Sequence, residues 1–136
     1  MAASQVTAVF PYDLSSVWEV VTSVADYSWR SDLGRTEILS ETQFVEYTKA
    51  GYATTFTITR SEPCRLWELD MENSHMKGHW TGVFTRRVDE AALTCIENVV
   101  PKKLWMGLFV KGYLKKQQRL FLEDLKRALE QYPHHS

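Results

Sequence analysis

The chain has 136 residues, 44% of them hydrophobic, a composition that suits one folded domain with one core. Its formal net charge of −1 argues against a general nucleic-acid binder, and no apolar run reaches the roughly 18 residues that a membrane span needs. The first residues lack the pattern of a signal peptide. The two cysteines, Cys64 and Cys95, lie far apart in the sequence, which is typical of a reduced protein. We therefore expect a single cytoplasmic domain over residues 1–136.

The first quarter of the chain has the pattern of one strand and two short helical segments. Residues 4–10 are rich in β-branched and aromatic side chains, which predicts a strand that ends at "PYD". Asp13 or Ser15 can cap the helix that follows. Residues 24–34 indicate a second short helical or irregular segment, closed by a glycine.

From Arg35 the hydrophobic pattern changes to period two, which indicates strands. Short turn signals separate the runs, and such short links favour antiparallel neighbours. The six predicted strands occupy residues 35–41, 43–48, 52–60, 64–72, 78–89 and 92–100.

After Pro101 apolar residues recur at helical spacing, and a helix from Lys103 to Glu130 would be roughly 40 Å long. An antiparallel sheet needs its apolar face covered, and a long amphipathic helix can cover it. The sequence therefore predicts an α+β protein with a space between a twisted sheet and its C-terminal helix.

Three stretches resemble the START-like, or SRPBCC, superfamily, which has the helix-grip fold. They are the opening "VFPYDLSSVWEVVTSVADYSWRSDL", the central hairpin "FTITRSEPCRLWELDM" and the closing helix "LFLEDLKRALE". The resemblance covers nearly the whole chain and is closest to small bacterial proteins labelled polyketide cyclase or dehydrase.

This resemblance implies a seven-stranded antiparallel sheet wrapped around a long C-terminal helix, with two short helices after the first strand. It also implies a cavity between sheet and helix, whose mouth is formed by Lys49–Tyr52, Asn73–Gly78 and Val100–Leu108. The fold by itself does not determine a function.

Alternation along the strands sorts the side chains that would face this cavity. Each of these side chains has the alternative of being only part of the core. Gly82, between two aromatic residues of one face, either leaves room beside them or marks a bend. The predicted ligand-binding residues are Trp29, Phe56, Ile58, Trp67, Leu69, Met71, Trp80, Phe84, Cys95 and Tyr113.

The polar candidates leave the question of catalysis open. If Glu97 faces inward, burial would raise its pKa and suit it as an acid or base, but we favour an exposed Glu97 paired with a neighbouring Arg or Lys. Arg30 could meet an anionic ligand, although pairing with Asp26 or Asp32 is favoured. Cys95 has no evident histidine partner, so Cys–His catalysis is not expected. No catalytic residue is assigned; the candidates are Glu97, His75, Tyr27 and Arg30.

The stretch "NSHMKGHW" contains His75 and His79, four residues apart, which is a metal-binding spacing on a helix. Here it lies between predicted strands, and zinc needs three or four ligands, so no metal and no other cofactor is predicted. His79 should face solvent and Trp80 the cavity. The stretch also loosely resembles the latch loop of the plant hormone receptors of this superfamily, so His75 is either an exposed turn residue or part of the mouth. The predicted mouth residues are Tyr52, His75 and Trp105.

Three functions fit these observations. The favoured one is binding of a small hydrophobic or aromatic molecule, lipid-like or polyketide-like, in the cavity. The second is a polyketide cyclase-like or dehydratase-like enzyme that uses an acid or base there, and the third is a protein-interaction module with a filled core. We expect a monomer or weak homodimer, without nucleic-acid partners or stable membrane insertion.

Overall fold

A computed structural model describes residues 2–103, 105 and 107–132, without the side chain of Leu108. Within them, seven strands form one antiparallel sheet in the order β1-β7-β6-β5-β4-β3-β2. This confirms the α+β class and the seven-stranded sheet with a C-terminal helix. The elements are β1 (Ala2–Phe10), α1 (Leu14–Thr22), β2 (Leu33–Ile38), β3 (Gln43–Thr48), β4 (Ala53–Glu62), β5 (Leu66–Glu72), β6 (Met76–Arg87), β7 (Glu90–Pro101) and α2 (Gly107–Gln131).

Helix α1 begins because Asp13 caps it. The Asp13 carboxylate accepts hydrogen bonds from the Ser16 N–H at 3.2 Å and from the hydroxyls of Ser15 and Ser16. These bonds, led by the one from Ser15, lower the pKa of Asp13 to about 2 despite an opposing effect of burial. Of the two predicted caps, Asp13 is the one that the structure uses.

The prediction of a second short helix after β1 is wrong, because residues 23–32 form only bends and turns. The Asp26 carboxylate accepts hydrogen bonds from the Ser28 N–H and hydroxyl, an arrangement that competes with helical hydrogen bonding. Farther along, the Ser31 N–H and hydroxyl donate to Asp124 of α2, at 2.8 and 2.9 Å. We call residues 23–32 the connecting segment; side-chain contacts hold it against α2.

Helix α2 begins at Gly107, later than the predicted Lys103. Strand β7 extends to Pro101, and the Lys102 N–H donates to the carbonyl of His75 at 2.8 Å. These strand contacts account for the later start of the helix. The apolar stripe of α2 is buried as predicted at Val110, Leu114, Leu125 and Leu129. In the described part of the chain, no helix combines the length and apolarity that crossing a bilayer would require.

Buried side chains form two clusters beneath the sheet. The larger one joins α1 to the C-terminal half of α2, and the smaller one surrounds Val110 and Leu114 near its start. Phe56 and Trp80 are only partly buried and pack against both clusters. The space between the clusters is therefore where the inner face of the sheet is incompletely filled.

The outer face of the sheet holds a histidine between two carboxylates. The ring nitrogens of His79 lie 2.7 Å from Asp70 Oδ1 and 2.9 Å from Glu68 Oε1, so His79 faces outward as predicted. Partial burial lowers the pKa of His79, but the hydrogen bonds to Asp70 and Glu68 and their charges outweigh it and raise the pKa above 6.5.

Because the pKa of His79 is higher in the folded state, its stabilising effect should be complete below pH 6.5 and disappear as pH rises through the folded value. We expect His79→Gln to reduce the free energy of unfolding by about 0.5–1 kcal/mol more at pH 5.5 than at pH 8.5, as for partly exposed ion pairs. Urea unfolding at both pH values measures this, with His75→Gln as the control. An equal loss at both pH values would contradict it.

Candidate functional site

A cavity of about 170 Å³ lies between the inner face of the sheet, α2 and the connecting segment. For scale, an apolar cavity of about 150 Å³ made by mutation in another protein binds benzene. The space therefore suits a molecule of one or two rings. Eight of the ten predicted ligand-binding residues lie on its wall: Trp29, Phe56, Trp67, Leu69, Met71, Trp80, Cys95 and Tyr113.

Aromatic rings form a continuous path along this wall. Phe44 stacks on Phe56 at 5.2 Å between ring centroids and on Trp67 at 6.4 Å. Trp67 contacts Trp80 edge-on at 6.1 Å, and Trp80 contacts Phe121 at 6.0 Å. Aromatic pairs at these distances add attraction beyond the area that they bury. The path gives the cavity a flat, polarisable lining.

Gly82 makes room for the Trp80 ring. A Cβ atom at Gly82 would lie 2.7 Å from Cη2 and 2.9 Å from Cζ3 of Trp80, closer than real Cβ atoms approach such carbons. The indole therefore lies over the glycine on the inner face of β6. Of the two possibilities for Gly82, room beside its aromatic neighbours is the one that the structure shows.

Two predicted wall residues and one mouth residue lie elsewhere. Phe84 is 3% exposed and packs edge-on against Trp18 of α1, with ring centroids 4.9 Å apart. Ile58 also packs against the larger core cluster and does not line the cavity. Trp105 is 63% exposed and is not part of the wall. Phe84 and Ile58 face inward as predicted but lie too far along their strands to reach the cavity.

Glu97 faces the cavity, so the favoured expectation of an exposed Glu97 is wrong. It shares a strand face with the buried Cys95 and Val99 and is directly opposite Trp80 of β6 and Ser4 of β1. Within residues 2–103, 105 and 107–132, no group hydrogen-bonds its carboxyl. Burial raises the pKa of Glu97 to about 7, although the charge of Arg30 opposes this. Near neutral pH this carboxyl is therefore present in both protonation states.

Arg30 lies on the wall and is already paired. Its guanidinium donates two hydrogen bonds of 3.1 Å to Asp32 and one of 3.4 Å to Glu46. The pairing with Asp32 is confirmed, whereas Asp26 binds Ser28 instead. Burial raises the pKa of Glu46, and the nearby Arg30 only partly offsets this. The positive charge of Arg30 is thus shared between two carboxyl groups.

The other titratable wall residues give little sign of chemistry. Burial, with a smaller contribution from Glu97, raises the pKa of Cys95 to about 12, so its thiol is protonated at neutral pH. Burial also raises the pKa of Tyr113. Tyr27 lies on the wall as well. No group of three or more His, Cys, Asp and Glu suited to a metal ion occurs among the described residues.

Tyr52 and His75, two residues predicted to lie at the mouth, contact each other beside the cavity wall. Their rings stack with centroids 5.1 Å apart, and the Tyr52 hydroxyl hydrogen-bonds His75 Nδ1 and lies 3.1 Å from Ser74 Oγ. His75 is an exposed turn residue, and it also holds a wall residue in place. Of the third predicted mouth connection, residues 104 and 106 lie outside the described residues.

A family model described as polyketide cyclase / dehydrase and lipid transport matches residues 1–130. The chain belongs to this family. The match spans both faces of the cavity, from β1 to the last turn of α2. No curated protein is similar enough in sequence to count as a match.

Several solved structures share the fold of this family member, although their sequence identity to it is low. A START superfamily protein from Mycobacterium smegmatis is 13% identical with a TM-score of 0.87, over 96% of this chain and 99% of that one. A conserved protein from Geobacillus kaustophilus is 12% identical with a TM-score of 0.81, over 98% and 99%. DynU16, from the dynemicin biosynthetic locus, is 16% identical with a TM-score of 0.78, over 96% of this chain and 48% of its own. At such identities the likeness shows the START-like fold alone.

Three wall residues that matter for the site were not predicted from the sequence. Phe44 alternates inward in its strand, and Phe121 lies on the apolar stripe of α2, so both carried a detectable signal. Glu46 shares the face of Phe44 by alternation, but a carboxylate is not expected in an apolar wall, and its partner Arg30 approaches from the connecting segment.

Proposed function

We propose that the protein binds a small hydrophobic or aromatic molecule in the cavity between the sheet and α2. The observation that carries this proposal is the cavity of about 170 Å³ whose wall is a continuous path of aromatic rings. Ligand pockets combine such apolar lining with a few polar groups that orient the ligand. Glu97 and the Arg30 cluster are the polar groups here.

The size of the space favours a compact ligand over an extended lipid chain. A cavity of about 150 Å³ binds benzene, so 170 Å³ suits one ring with a short substituent or a compact fused pair of rings. The same empty volume counts against a protein-interaction module with a filled core.

The test uses 2-naphthol, an uncharged aromatic probe, and isothermal titration calorimetry. Phe56→Ala and Trp67→Ala each remove a ring from the wall, and we expect each to weaken binding at least tenfold, which corresponds to about 1.4 kcal/mol. Phe84→Leu is the matched control, because it changes an aromatic residue of the same sheet that does not line the cavity. The proposal fails if the wall variants bind the probe as tightly as the control does.

A second candidate function is enzymatic, because Glu97 has a pKa of about 7 inside the cavity. A carboxyl with such a pKa can take a proton from carbon and return it to a leaving hydroxyl, as the dehydration of a β-hydroxy ketone to an enone and water requires.

The aromatic β-hydroxy ketone 4-hydroxy-4-phenylbutan-2-one tests this candidate, since its dehydration creates a conjugated chromophore. If the protein is a dehydratase of this class, it should accelerate the reaction over buffer, and Glu97→Gln should remove the acceleration. A wild-type rate equal to that in buffer would count against this chemistry while leaving the binding proposal intact.

A further inference from the structure

The wall of the cavity carries more acidic than basic side chains. Arg30 is its one basic side chain among the described residues, whereas Asp32, Glu46 and Glu97 are all acidic. Arg30 is paired with Asp32 and Glu46. Of the acidic side chains on the wall, Glu97 is the one that no ion pair or hydrogen bond engages among the described residues, although the charge of Arg30 acts on it.

Two polar residues on this side of the cavity, Ser4 and Gln118, are engaged with each other. Ser4, opposite Glu97 on β1, donates to the Gln118 side-chain oxygen at 2.7 Å, and the Gln118 amide donates to the Ser4 carbonyl at 3.2 Å. Both residues are buried. The partly buried carboxyl of Glu97 accepts no hydrogen bond from the described residues, and a ligand that supplies a donor or a cation would stabilise its charged form.

The surroundings of Glu97 also favour a cation. Trp80 lies directly opposite it, and Trp80 contacts both Trp67 and Phe121. The faces of aromatic rings attract cations, most strongly at tryptophan. An ammonium group beside Glu97 would gain an ion pair, and one that reached the face of Trp80 would gain this attraction as well, whereas a carboxylate there would be repelled.

We propose that the ligand of this cavity is a small aromatic amine in its protonated form, whose ammonium group pairs with the Glu97 carboxylate. Its ring lies along the aromatic path of the wall. This inference rests on the proposed binding function and narrows it to a class of ligand.

The proposal gives a defined dependence on pH. An ammonium pairs only with ionised Glu97, whose pKa is about 7, so affinity should rise about tenfold from pH 6 to pH 8, with release of a proton on binding. A neutral ligand that accepts a hydrogen bond from protonated Glu97 would show the opposite trend.

The other charged or titratable groups on the wall interfere little with this dependence. Cys95 and Tyr113 have raised pKa values and remain protonated in this range. Arg30 remains charged. The pKa of the Glu46 carboxyl is raised like that of Glu97, but Glu46 is paired with Arg30. The remaining groups of this kind on the wall are Tyr27, Asp32 and Tyr52.

Three ligands with one ring and a short chain separate the possibilities: 2-phenylethylamine, 2-phenylethanol and 3-phenylpropionate. Isothermal titration calorimetry at pH 6 and pH 8, in two buffers of different ionisation enthalpy, gives affinity and proton release. At pH 8 we expect the amine to bind at least tenfold more tightly than the alcohol, and the carboxylate to bind most weakly.

Variants then assign the effect to Glu97. Glu97→Gln should bring the ratio of amine to alcohol affinity close to one at both pH values, and Glu97→Asp should restore part of it. Glu68→Gln, a matched change on the outer face of the same sheet, should keep the wild-type ratio.

Three outcomes overturn the inference. Equal or stronger binding of the alcohol or the carboxylate would refute the amine class while leaving the binding function intact. A pH dependence that persists in Glu97→Gln would do the same, because it would implicate Glu46. Absence of binding by all three ligands and by 2-naphthol would refute both proposals.

Discussion

Replacing Asp124 by alanine should lower the free energy of unfolding by about 3 kcal/mol, since two buried hydrogen bonds to a charged group are lost. Asp124 is 0% exposed and accepts from the Ser31 N–H at 2.8 Å and the Ser31 hydroxyl at 2.9 Å; Arg127 is its ionic partner. Without the carboxylate, the Ser31 N–H would lose its acceptor.

Urea unfolding followed by circular dichroism measures this loss. Glu123→Ala is the control, because Glu123 is the adjacent acidic residue on α2 and is exposed. We expect the control to change stability by less than about 0.5 kcal/mol, as surface substitutions usually do. The two variants would be equally stable if Asp124 did not hold the connecting segment. Since that segment carries Trp29 and Arg30, the variant should also weaken binding of 2-naphthol.

Gly82→Ala should reduce the affinity for 2-naphthol at least tenfold. The new Cβ would lie 2.7 Å from the far edge of the Trp80 indole, so the ring must move, and the space available to it is the cavity. Such overpacking also costs about 1–3 kcal/mol of stability.

Calorimetric titration with 2-naphthol measures the first effect, and thermal unfolding measures the second. Gly112→Ala is the matched control, because a Cβ there meets nothing within 4 Å. On an exposed helix position this change should stabilise the protein by about 1 kcal/mol and leave binding unaltered. Wild-type affinity in Gly82→Ala would show that the Trp80 ring does not border the binding space.

The alternation of side chains predicted six strand residues of the wall because strand geometry alone decides which face a residue occupies. Trp67, Leu69 and Met71 illustrate this, since all three share one face of β5 and all line the cavity. Alternation does not give the distance along the strand to the cavity. Phe84 therefore faces inward as predicted but packs against α1.

Glu97 was harder to predict because both faces of β7 contain apolar residues and a carboxylate is normally kept in water. Its inward position follows from pairing with β1 and β6, which a single sequence does not reveal. The connecting segment presented the same difficulty. Its sequence fits either a helical or an irregular segment, and Asp26 and Asp124 direct its backbone through contacts that arise only in the folded chain.

The contact between Tyr52 and His75 has a kinetic consequence. It is exposed and relies chiefly on one hydrogen bond and one ring contact, and such a hydrogen bond contributes only about 0.5–1.5 kcal/mol. This contact can therefore break many times without unfolding the sheet or α2. If ligands enter between Tyr52 and His75, the proposed binding should show fast exchange, with a residence time set by the wall contacts.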